Sequence, residues 1–120
     1  MSHRIALFGF LLLFLAVAVG PFYSVPTYSS LRNTLSELAG QGMPGAWIMR
    51  AGFVGMALAA IALAVPLLSK RSWLAPPVIA FGLAMLGAAI WSNLPIDPTI
   101  PGDPDEDWLH SFFANAMGTA

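Results

Sequence analysis

The chain has 120 residues, 58% of them hydrophobic and 9% charged, with a formal net charge of −1 and no cysteine. A soluble domain carries about 25% charged residues, so this composition cannot supply a water-facing shell. The near-zero charge offers no basic surface to nucleic acid, and the lack of cysteine excludes disulfides, zinc–thiolate sites and thiol catalysis.

The apolar residues fall in long blocks rather than at amphipathic spacing, which points to lipid. The first block is IALFGFLLLFLAVAVGPFY, residues 5–23. A hydrocarbon core about 30 Å thick needs roughly 20 apolar residues in a helix, and this run is of that length. MSHR before it and Ala16-Val17-Ala18 within it resemble the start and cleavage site of a signal peptide. The run exceeds the usual signal core, and more spans follow, so an anchor is the preferred reading.

Residues 24–45 are more polar. Thr34 and Glu37 form a T-x-x-E capping box, Ser29 or Ser30 is a further cap, and Gly40 suits a helix end. This predicts a short amphipathic helix over about 31–39, with Leu31, Leu35 and Leu38 on one face and Asn33 and Glu37 on another. Gln41-Gly42-Met43-Pro44-Gly45 is the turn into the second span, residues 46–68, which ends at Ser69-Lys70-Arg71-Ser72. The third span is residues 73–96, with Pro76 and Pro77 in its first turn and Trp73 and Trp91 near its ends. DPTIPGDPDED, residues 97–107, reads as a solvated loop. A last apolar stretch, residues 108–120, covers about 20 Å, too little to cross. The expectation is a partial fourth span of a longer protein, with a short re-entrant end as the alternative.

The fold class expected is therefore all-α, a single transmembrane helix bundle over residues 1–120. Arg4, Lys70 and Arg71 lie at one side and Arg32 and Arg50 toward the other, so the positive-inside rule makes the first side cytoplasmic by three charges to two. The N-terminus is then inside and the protein sits in the cell membrane. Residues 24–45 and 97–107, with Glu37, Asp97, Asp103, Asp105, Glu106 and Asp107, face outward. Small residues recur at four-residue spacing as Ala51, Gly55 and Ala59, and as Ala80, Ala84 and Ala88. Such stripes suit packing within the bundle or a dimer face, and packing within the bundle is preferred.

Arg50 lies about 7 Å into the second span, where a charge must snorkel or pair. Glu37 and Asp97 are the expected partners. On that reading Arg50→Leu disturbs the bundle more than Arg32→Leu. His110 opens the last stretch as an interfacial polar residue or a general acid–base group, and Ser111 and Asn115 share its helix. The run from Asp103 lacks the glycine and the bidentate glutamate of a calcium loop. His3 and His110 are expected on opposite sides of the membrane. No metal site and no cofactor are therefore expected.

Asn33, Thr34, Ser36 and Glu37, then Gly42, Pro44, Ala46 and Trp47, then Pro95, Asp97 and Pro98, and finally His110 together resemble a pattern of N-T-[LI]-S-E-L, G-x-P-x-A-W, P-x-D-P and an opening histidine. That pattern is similar to the bacterial and archaeal multi-pass proteins grouped as domain of unknown function 998. The resemblance implies a bundle of about six helices, two of them beyond this sequence, and no established activity.

Three functions compete. In the first, Asn33, Ser36, Glu37, Arg50, Asp97 and His110 form an outer polar pocket for a small polar or lipid-headgroup ligand. In the second, His110 with Asp97 and Glu37 serves an intramembrane hydrolase completed by further helices. In the third, the bundle is a scaffold. The partner all three imply is the lipid bilayer, and none specifies an oligomeric state.

Overall fold

The structure, a computed structural model, describes residues 1–117. The described residues form five helices and no strand: α1 (Ser2–Tyr23), α2 (Leu35–Leu38), α3 (Ala46–Ser69), α4 (Ala75–Ile90) and α5 (Pro104–Ala116). The four long helices pack in chain order, α1 on α3, α3 on α4 and α4 on α5. Each pair is antiparallel. A Cβ built on Gly9 would meet Gly55, one on Gly52 would meet Ala16, and one on Gly45 would meet Tyr23. Likewise Gly82 faces Ala57 and Gly87 faces Phe113.

Why these helices approach so closely is written in their small residues. A Cβ on Gly9 would fall 2.2 Å from the Gly55 carbonyl oxygen and 2.8 Å from Cβ of Ala59. Backbone therefore lies against backbone where α1 crosses α3, as small-residue stripes permit. Gly55 and Ala59 thus serve packing within the bundle. In the other stripe Ala84 and Ala88 are buried, whereas Ala80 is exposed. Gly20 makes room for Leu38, whose Cδ1 lies 2.6 Å from where a Cβ would stand. Leu38 and Met49 are among the largest fully buried side chains.

The large apolar residues mostly point outward. Leu7, Phe8, Phe14 and Phe22 of α1, Trp47 and Leu58 of α3, and Trp108 of α5 are all more than half exposed. α1 and α3 are long and apolar enough to cross a membrane, and only 22% and 39% of their most apolar windows are buried. A core helix of a water-soluble domain would be mostly covered. α4 is apolar but has 16 residues.

Three boundaries differ from expectation. The amphipathic helix over 31–39 is a single turn, because Thr34 takes the extended N-cap conformation (φ −80°, ψ 164°) and leaves residues 31–33 outside it. The capping box itself forms, with Glu37 accepting the Thr34 amide. Leu31 is consequently 97% exposed while Leu38 is buried, so the two share no face. The third apolar segment is helical only to Ile90, since Trp91 turns extended (φ −101°, ψ 132°). The last helix begins earlier than residue 108. Asp103 caps it by accepting the Asp105 amide at 2.9 Å, Pro104 occupies its first turn, and three acids follow where the helix dipole favours them. Residues 104–107 are therefore helix, not loop.

Gly9→Ala is expected to destabilise the bundle by about 1–3 kcal/mol, because backbone rather than a flexible side chain must yield. Ala80→Leu is expected to change stability little. Thermal unfolding of both variants in mild detergent checks this, and equal melting temperatures would contradict the packing.

Candidate ligand-binding recess

The C-terminal end of α4 is unwound, yet its backbone is almost fully hydrogen-bonded. The Trp91 carbonyl lies 2.8 Å from His110 Nδ1, and the Ala88 carbonyl lies 3.1 Å from the same atom. Glu106 accepts the Ser92 amide at 2.9 Å and Asp107 accepts the Leu94 amide at 2.8 Å. Gln41 Nε2 donates to the carbonyls of Ser92 and Asp103, both at 2.9 Å. The Asn93 carbonyl accepts the Gln41 amide at 3.0 Å. Gln41 Oε1 accepts the Asp103 amide. One glutamine thus joins the α2–α3 turn, the end of α4 and the start of α5. Buried polar groups need such partners, because each unmade bond costs about 1–3 kcal/mol.

Between α5 and α2 lies a recess of about 270 Å³. Thr34, Ser36, Asn93, Asp107, His110 and Asn115 are among its walls. Thr34 and Ser36 also wall a second cavity of about 210 Å³, where Leu13, Leu35, Phe53 and Met85 make the lining apolar. His110 is 3% exposed. Both atoms near its Nδ1 are carbonyl oxygens, which only accept, so Nδ1 carries the proton. Nε2 has no partner among the described residues.

Of the residues expected to form one outer pocket, Ser36 and His110 line the recess. Asn33 accepts the Ser29 amide at 2.9 Å and closes a turn. Glu37 completes the capping box. Asp97 accepts both the hydroxyl (2.7 Å) and the amide (2.9 Å) of Thr99. Those bonds hold the Asp97 carboxyl below its ordinary range, so this turn is intact at neutral pH and loosens only in acid. Arg50 lines neither cavity. The ion pair expected with Glu37 or Asp97 is not formed, and Arg50 Nε is buried without a hydrogen-bond partner. Each carboxylate is engaged by its own local turn instead. His3 lines a separate recess with Lys70, where α1 begins and α3 ends, far from His110. No cluster of three or more metal-ligating side chains occurs among the described residues.

Gln41, Glu106 and Asp107 were missed as organising residues. Gln41 sits in a glycine-rich turn, and the two acids sit in what reads as a solvated run. The available signal was their position: polar residues flanking a proline-bounded segment with unpaired backbone groups to satisfy.

Among the described residues, the fold and recess define a helical bundle with two helices suited to crossing a membrane and a polar hollow between α2 and α5. A family model described as "Protein of unknown function (DUF998)" matches residues 7–120, and the chain belongs to that family. No curated protein and no solved structure matches it.

Gln41→Glu keeps the shape but turns two donors into acceptors facing carbonyls. It is expected to destabilise the protein by about 2–3 kcal/mol, from two lost bonds of about 1–1.5 kcal/mol each; an unchanged melting temperature would contradict the staple. Without its ion pair, Arg50 reverses the sequence expectation. Arg50→Met removes an unpartnered buried atom and is expected to leave thermal stability unchanged or raised. A loss as large as that of Gln41→Glu would show that the guanidinium is paired.

Proposed function

We propose that this chain is an integral protein of the cell membrane whose recess between α2 and α5 binds a small polar or lipid-headgroup ligand. The observation that carries the reading is the hollow itself: a polar mouth beside His110 that shares Thr34 and Ser36 with an apolar cavity. Ligand sites combine an apolar lining with a few placed polar groups in this way. Asn33, Glu37, Arg50 and Asp97 complete the proposed site only if they rearrange on binding.

Membrane placement is supported by the exposed apolar faces of α1 and α3. α1 lies along α3 through Gly9, Gly52 and Gly55, which favours a retained anchor over a cleaved signal. In this reading α4 and the extended residues after it make a third crossing. Sixteen helical residues cover about 24 Å, and residues 91–94 extend the path further. Their hydrogen bonding suits a non-helical segment at membrane depth, where backbone must be satisfied by protein. α5 is the beginning of a fourth span. His3 and Lys70 share the end proposed to be cytoplasmic, and the acids gather at the other.

A hydrolase built on His110 would need Glu37 or Asp97 beside it, and both spend oxygens on Thr34 and Thr99. A scaffold would need no recess. Binding is therefore the reading put forward.

The chain has no cysteine, so single-cysteine labelling tests the topology. With a membrane-impermeant maleimide on intact cells, Thr99→Cys is expected to react, and Ser2→Cys only after permeabilisation. The opposite pattern would invert the orientation, and labelling of neither after permeabilisation would argue against both exposed ends. Native mass spectrometry tests the recess. Wild type is expected to retain a bound small molecule or lipid that Ser111→Trp, which fills the hollow from exposed Ser111, releases. The same adduct on both would sink the assignment.

A further inference from the structure

We propose that the recess takes a primary ammonium group carried on an apolar body. The inference rests on reading the recess as a binding site, and it adds the chemistry of what binds.

The tautomer of His110 decides what the recess offers. Its Nδ1 lies 3.1 Å from the Ala88 carbonyl and 2.8 Å from the Trp91 carbonyl. Two acceptors on one nitrogen fix the proton there, so in the neutral ring Nε2 holds a lone pair. The side chain is 97% covered, and its unpartnered Nε2 belongs to a ring that lines the recess. His110 therefore offers the ligand an acceptor.

Asp107 offers a second. Its Oδ1 takes the Leu94 amide, and its other oxygen has no partner among the described residues. A carboxylate only accepts. No lysine or arginine lines the recess, so this charge has no counter-ion there. Ser36 and Ser111 carry hydroxyls that donate or accept as required.

An anionic group would face a carboxylate and a lone pair, and like charges at short range disfavour binding. A neutral hydroxyl would satisfy the acceptors but leave Asp107 uncompensated. A primary ammonium brings three N–H donors and a positive charge, and charge-assisted bonds are the strong ones. The adjoining cavity, with Leu13, Phe53 and Met85 in its wall, accepts an apolar body through the boundary at Thr34 and Ser36.

Three amphiphiles of equal chain length test this: decylamine, protonated at neutral pH, decanol and decanoate. Each is titrated against the full chain in phosphatidylcholine nanodiscs, with binding read from the shift in unfolding temperature. Asp107→Asn keeps the side-chain size and the oxygen that accepts the Leu94 amide but removes the charge. Comparing the two proteins cancels partition into the bilayer. Decylamine is expected to saturate and to bind wild type about tenfold more tightly than Asp107→Asn, the range of one charge-assisted bond. Decanol is expected to bind both alike, and decanoate to give no saturable shift.

Decanoate binding wild type as tightly as decylamine would overturn the ammonium assignment, as would decylamine indifferent to Asp107→Asn. In either case the recess would stand as a site if Ser111→Trp abolished the binding. No saturable binding of any of the three would overturn the recess reading as well. Should Asp107→Asn fail to fold, the rank order on wild type decides.

Discussion

The bundle depends on how the backbone after Ile90 is satisfied. A helix that stops inside a packed, apolar molecule leaves carbonyls and amides with no water to bond. Here the Ala88 and Trp91 carbonyls meet His110, the Ser92 and Leu94 amides meet Glu106 and Asp107, and Gln41 takes the carbonyls of Ser92 and Asn93. Three chain segments distant in sequence converge to do this. They fix where α5 leaves α4, and with it the hollow beside α2.

Packing elsewhere follows a different rule. Close approach of helix backbones gains dispersion contacts, and small residues at the crossings permit it. The interior is rich in glycine, alanine and methionine, with Leu38 seated on Gly20 and the Phe113 ring on Gly87. Phe113 also stacks on Trp91 at 5.3 Å, so the aromatic contact and the histidine bonds fasten the same turn. The phenylalanines of α1 and its Leu7, Leu11 and Leu15 are left outside, whereas Leu12 and Leu13 pack against α3.

His110 links architecture to the proposed chemistry. One ring nitrogen is consumed in holding α5 to α4, and that same commitment dictates what the other nitrogen presents to the recess. Asp107 repeats the arrangement, with one oxygen structural and one free. A group held rigidly by its structural half keeps its binding half in place, which lowers the cost of recognition.

Much of the fold was legible in the residues. Long apolar blocks gave α1 and α3 to within a few residues, because hydrophobic length is a local property. The Thr34–Glu37 capping box is likewise local and forms as its spacing requires. The candidate site was legible only in part. That His110 and Ser36 belong to one hollow followed from placing both at the same end of antiparallel helices. The roles of Gln41, Glu106 and Asp107, the early end of α4 and the isolation of Arg50 did not follow. Each depends on which backbone groups lie unpaired across the bundle, and the residue pattern does not carry that information. Composition and periodicity determine that the chain forms long apolar helices with polar ends. Only the tertiary structure decides which polar groups become fasteners and which remain free, because a hydrogen bond between distant segments exists only once their distance is set.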